Sequence, residues 1–156
     1  MKHLILAWTL ISISTVAIAD DAAEAEAKVR EYFNLFNTKD VDGILERIYS
    51  IPVHIGNSSG HRAYAGPADA RSSVAALYEQ IEGQGWVRSV IKTVKACAIT
   101  DGVVFAEVTY TRDKADGEAI APGLRSNIYV LQKLAPGWRV TAFYSRDIDK
   151  GLDCRE

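Results

Sequence analysis

The chain has little basic character, few cysteines and no familiar catalytic signature, and each shortage excludes something. Its 18 lysines and arginines are outnumbered by 20 acids, for a net charge of −2 and a pI of about 5.9. No basic run occurs, which argues against a nucleic-acid partner and against an anionic membrane surface. Only two cysteines are present, Cys97 and Cys154. They form no CxxC redox motif, and no cysteine cluster suggests zinc. A phosphate-binding glycine loop, a nucleophile elbow, HExxH and Ser/His/Asp spacing are all missing. The residues therefore call for no cofactor and no metal. No apolar run is long enough to span a membrane, and the longest lies at the N-terminus.

Lys2 precedes an apolar stretch from Leu4 to Ile18, and Ala17 and Ala19 form a small-x-small pattern before Asp20. This is the design of a cleaved secretory leader. The alternative is an N-terminal anchor. The run is shorter than the ~20 residues a spanning helix needs, and an acidic, alanine-rich segment follows at once. The reading is a leader over 1–19, one domain over 20–148 and a charged tail over 149–156. It describes a periplasmic or secreted protein without membrane attachment after cleavage. In an exported chain an even cysteine count favours a Cys97–Cys154 disulfide. The competing reading leaves Cys97 as a buried thiol and Cys154 loose in the tail.

The stretch from Glu24 to Ile48 organises the chain. Val29, Tyr32, Phe33 and Phe36 recur on one helical face, and Val41, Ile44, Leu45 and Ile48 repeat the pattern after a break. Asp40 is placed to cap the second helix, which Pro52 is expected to close. A short hairpin, Ile51–Gly56 and His61–Ala65, and a third helix over 68–82 follow. From Val87 the period changes to two. Strands are expected over 87–99, 103–112, 126–134 and 138–146, with Asp101-Gly102 as a tight turn and Asp113 to Gly123 as a loop or hairpin tip. Along the first strand, Val87, Ile91, Cys97 and Ile99 share one face. Helices first and strands after predict an α+β domain, with helices in the concave face of a strongly curved antiparallel sheet.

Three stretches then point to a family: EYFNLFNTKDVDGILERIY (Glu31 to Tyr49), YAGPADARSSVAALYEQ (Tyr64 to Gln80) and GWRVTAFYSRD (Gly137 to Asp147). In this order and spacing the chain resembles the nuclear-transport-factor-2-like superfamily, also called SnoaL-like, a cone of helices packed in a curled sheet. The resemblance covers nearly the whole chain after the leader. It implies a container, because members of this superfamily include isomerases, dehydratases, cyclases and epoxide hydrolases, and many only bind or dimerise. Function must therefore come from the site.

Ketosteroid-isomerase members use a tyrosine on the first helix, a carboxylate base and a second, protonated acid. The resemblance puts Tyr32 at the tyrosine position, Gly56 at the base and Tyr129 at or beside the second acid. No Asp or Glu occurs in Ile51 to His61 or in Leu124 to Leu134. Two of the three groups are thus missing, and that mechanism is not expected. What remains is a set of neutral hydrogen-bonding groups: Tyr32, Asn127, Tyr129 and Tyr144, with Tyr110 and Trp86 beside them. The plainer reading of each tyrosine is a core residue with a satisfied hydroxyl, and the positional match sets Tyr32 apart from the rest. His54 and His61 sit on one hairpin and lack a third metal ligand; His54 is a candidate acid–base group if it faces the cavity. Glu107, the one acid inside a long strand, is expected on the convex face, paired with a basic residue.

Three functions fit. The first is an exported protein binding a small, largely apolar or amphipathic molecule in the cone, with a homodimer through the convex sheet as its candidate partner. The second is a cofactor-independent isomerase or dehydratase using Tyr32 and His54. The third is an interaction or dimerisation module without a functional cavity.

Overall fold

The computed structural model describes residues 14–154, with side chains from Asp20 onward. Most of the expected leader lies outside the described residues. Helix α1, Ser14–Asn37, ends where its apolar stripe ends. Its C-terminus closes as a Schellman turn: the Lys39 amide donates to Phe36 O and the Asp40 amide to Leu35 O, with Lys39 left-handed at φ 56°. Asp40 then caps the next turn, its Oδ1 accepting from the Gly43 amide at 2.8 Å. One residue thus ends one helix and begins another. A Cβ on Gly43 would sit 2.4 Å from Asp40 Oδ2, so the glycine leaves room for the capping carboxylate.

The second helical stretch is shorter than expected. It comprises α2, Val41–Gly43, and one π-helical turn, Ile44–Ile48. The wider turn buries both Ile44 and Ile48. Strand β1 begins at once, over Tyr49–Asn57, so Pro52 lies inside a strand and does not close a helix. It occupies the break in register between Tyr49 and His54, where the missing amide costs no ladder bond. β2 is Gly60–Tyr64, and α3 is Pro67–Glu82 with its proline in the first turn.

The sheet is completed by β3 (Trp86–Thr100), β4 (Val103–Lys114), β5 (Ala119–Leu134) and β6 (Gly137–Arg146). The strand order is β2-β1-β6-β5-β4-β3. β1 runs parallel to β6, and every other pairing is antiparallel. β5 starts at Ala119, which pairs with Asp113, so most of the expected loop is strand. Register breaks in β3 upset its simple alternation: Val87 and Ile99, expected to share a face with buried Cys97, are 48% and 55% exposed.

The architecture is the expected α+β cone. Val29, Tyr32, Phe33 and Phe36 of α1 bury against Val104, Val108 and Tyr110 of β4, Tyr129 and Leu131 of β5 and Val140 of β6. The Asn37 side chain fastens this helix to the sheet. Its Nδ2 donates to Ser89 O at 2.9 Å, and its Oδ1 accepts from the Ser89 amide at 2.7 Å. At the other end of α1, Asp21 accepts from the Gly102 amide and from Lys133, and Glu24 accepts from Lys133 and Trp138 Nε1. These bonds hold both carboxylates below their ordinary range.

The convex face has its own cover. Cys97 and Cys154 form a disulfide, with Cα atoms 5.4 Å apart, and anchor the tail across the sheet. Glu107 lies beneath that tail, as expected on this face. It pairs with Arg146 at 3.0 Å, accepts from Ser126 Oγ, and accepts from the Leu152 amide at 2.6 Å. Among the described residues, no helix is long and apolar enough to cross a membrane.

Two outcomes follow from these ties. Asn37→Ala leaves the buried Ser89 amide and carbonyl unpaired, and urea denaturation should show a loss of about 1–3 kcal/mol per orphaned group. Cys154→Ser should cost about 2–4 kcal/mol, and adding reductant should bring the wild type to the same denaturation midpoint.

Candidate functional site

A cavity of about 620 Å³ opens between α1, α3 and the concave face of the sheet. Alternation decides what it contains. On β4, Val104, Ala106, Val108 and Tyr110 face inward; on β5, Asn127, Tyr129 and Leu131 do. α1 contributes Tyr32, Phe33 and Phe36, and α3 contributes Val74 and Leu77. The floor is aromatic. The Tyr32 ring lies 5.7 Å from Tyr129 and 6.0 Å from Tyr49, and Phe143 stacks on Tyr49 at 6.1 Å. Exposed polar groups, including Asn57, Gln80 and Ser145, form the rim.

The phenols form a linked set. Tyr49 Oη lies 3.5 Å from Tyr32 Oη, and Asn127 Nδ2 donates to Tyr129 Oη at 3.3 Å and reaches Tyr110 Oη at 3.5 Å. Burial pushes the hydroxyls of Tyr32, Tyr49 and Tyr129 above the ordinary tyrosine range. For Tyr32 this outweighs the hydrogen bond with Tyr49, which acts in the opposite direction. At neutral pH these groups keep their protons. They can donate to a ligand oxygen or accept from a ligand N–H, but they are not bases. No Asp or Glu lines the cavity among the described residues. Two arginines do: Arg62, whose guanidinium lies 5.3 Å from the Tyr64 ring centre, and half-buried Arg112.

The sequence model of the family described as NTF2-like protein (DUF6841) matches residues 22–148. This chain belongs to that family. Solved structures share the NTF2-like fold at low identity. One is an NTF2-like protein with a cystatin-like fold from Novosphingobium aromaticivorans, 12% identical, with a TM-score of 0.68 over 94% of this chain and 96% of that one. An NTF2-like superfamily protein from Salmonella enterica is 14% identical, with a TM-score of 0.59 over 86% and 99%. A ketosteroid isomerase-like protein from Erwinia carotovora is 18% identical, with a TM-score of 0.59 over 83% and 97%. No curated protein matches.

The NTF2-like cone brings together only part of the expected set. Tyr32, Tyr110, Asn127 and Tyr129 line the cavity. Trp86 does not; it is buried between Phe36 and Tyr78, its Nε1 donating to Ser89 Oγ. Tyr144 lies on the opposite face, because its β5 partner is Ile128 and not an inward residue. It is 40% exposed, and its ring covers Gly56, where a Cβ would come within 2.4 Å of it. His54 faces outward too. It alternates with inward Val53 and Ile55, and its exposed ring stacks on His61 at 6.0 Å. It cannot serve as an acid–base group in the cavity. Among the described residues, no group of three or more His, Cys, Asp or Glu is arranged to hold a metal. The expectation missed Tyr49, Phe143 and Arg112. Arg112 was legible, since it has the parity of Val108 and Tyr110.

The buried phenols set an alkaline limit. Their folded-state values lie above the ordinary 10.0, so their contribution is intact below pH 10.0 and falls as pH rises past it. Thermal melts across the alkaline range should show this loss, and Tyr129→Phe should reduce its slope.

Proposed function

We propose that this chain is an exported binding protein that holds a small molecule with a largely apolar body in the cone. The observation that supports this reading most is the cavity itself. Its volume of about 620 Å³ and its aromatic floor with a few polar tips match a small-ligand pocket. A structural core of the same composition would be filled, since interiors pack without voids of this size. The rings of Tyr32, Tyr49, Tyr129 and Phe143 offer flat apolar contact, and Tyr32 Oη and Asn127 supply orientation.

An isomerase or dehydratase fits less well. Proton abstraction needs a base within reach. The cavity lining holds no carboxylate among the described residues, and His54 points away. Export is part of the proposal. It rests on the leader pattern in residues 1–19 and on the Cys97–Cys154 disulfide, which an oxidising compartment sustains.

Native mass spectrometry tests both parts. Protein produced with its leader and recovered from an oxidising compartment without reductant should begin at Asp20 and carry a co-purifying small molecule. Tyr32→Phe should fold normally and retain less of it. A wild type that emerges uncleaved counts against export. A wild type that emerges empty and also fails to take up an apolar fluorescent probe counts against the container reading.

A further inference from the structure

The buried carboxylates among the described residues are paired, and two half-buried arginines are not. Asp21 meets Lys133, Glu107 meets Arg146, and Asp113 meets Arg88. The half-buried Arg112 side chain forms no ion pair and no hydrogen bond among the described residues, and its Nε is buried without a partner. Across the strands, Arg125 pairs with Tyr110 on the inward face, beside Arg112. Its Nη2 donates to the carbonyls of Ile120 and Ala121, yet its Nε too is buried and unsatisfied. The proximity is electrostatically felt: burial and then the Arg112 charge both lower the basicity of Arg125.

Two neighbouring, half-buried guanidinium groups without a counter-ion repel one another. A buried charge normally finds a partner or a hydrogen-bonding shell. Neither arginine is placed over an aromatic ring as Arg62 is, so a ring face does not compensate them. The cavity supplies no acid of its own. What completes the arrangement is an anion from outside, and a planar fork of N–H donors is matched by a planar carboxylate. Phosphate fits less well, because no lysine and no glycine-rich cradle lines the cavity among the described residues.

We propose that the cone binds a small organic carboxylate, with its apolar body on the Tyr32–Tyr129–Phe143 floor and its carboxylate against Arg112, supported by Arg125. This rests on the container reading and names its ligand class. The overall negative charge of the chain gives no hint of this, since the acids lie elsewhere.

Calorimetric titration of the full oxidised protein with two carboxylate probes, 2-naphthoate and decanoate, tests it. Each is compared with its uncharged primary amide, and 2-naphthyl phosphate serves as the rival anion. At least one carboxylate should bind roughly tenfold or more tighter than its amide, the ratio expected from a charged hydrogen-bonded pair. The preference should shrink in high salt, collapse in Arg112→Gln and recover in part in Arg112→Lys. Ligand-free Arg112→Gln should melt at or above the wild-type temperature, because it removes an unpaired, half-buried charge beside Arg125. Equal binding of acid and amide overturns the anion assignment and leaves the container standing. Tighter binding of the phosphate overturns the carboxylate class. A marked drop in the melting temperature of Arg112→Gln assigns that residue a structural role instead. No binding of any probe overturns the container reading and this inference with it.

Discussion

The burial of one helical stripe in a curled sheet is the constraint on which everything else depends. Val29, Tyr32, Phe33 and Phe36 are buried in one core with the inner face of the sheet, which removes them from water. Each such side chain contributes about 1.5–3 kcal/mol when fully buried. The sheet in turn has no reason to curl without something to wrap. Asn37 and Asp21 secure the two ends of the arrangement through backbone amides of β3 and of the β3–β4 turn. The helix is thus held along its length, and the cavity floor inherits that rigidity, because Tyr32, Phe33 and Phe36 belong to both.

Strand alternation then divides the chemistry between two faces. Along β4, Tyr110 faces the cone while Glu107 faces out, three residues away. The outer carboxylate is neutralised by Arg146 and covered by the tail, which the disulfide keeps in place. The inner face carries phenols, an amide and guanidinium groups, with no acid to balance them among the described residues. A chain of net negative charge thereby encloses a cavity lined by positive charge. This sorting is a consequence of period-two geometry acting on a sequence in which acids and bases fall at chosen parities.

Sharing a fold at 12% to 18% identity is consistent with this division of labour. In this chain the cone is built from an apolar pattern, a Gly-Pro entry into α3 and a capped break after α1. A shared fold does not carry a shared function, so what this cone can hold is argued from its own inward residues.

The sequence determined the scaffold by itself. Apolar periodicity located α1, α3 and the four long strands, and Asp40 was readable as a cap because capping is a local interaction between neighbours in the chain. Parity along β4 placed Glu107 outward and Tyr110 inward. Other features depended on contacts between distant residues. The parallel pairing of β1 with β6, and the register break at Pro52, turned Tyr144 and His54 to the outer face. The cysteine count admitted a disulfide, but only the crossing of the tail over β3 brought Cys154 to Cys97. Arg112 and Arg125 are 13 residues apart in the chain, and nothing in the sequence joins them. They become neighbours because β4 and β5 pair antiparallel, and pairing across a sheet is a property of the folded chain and not of either strand.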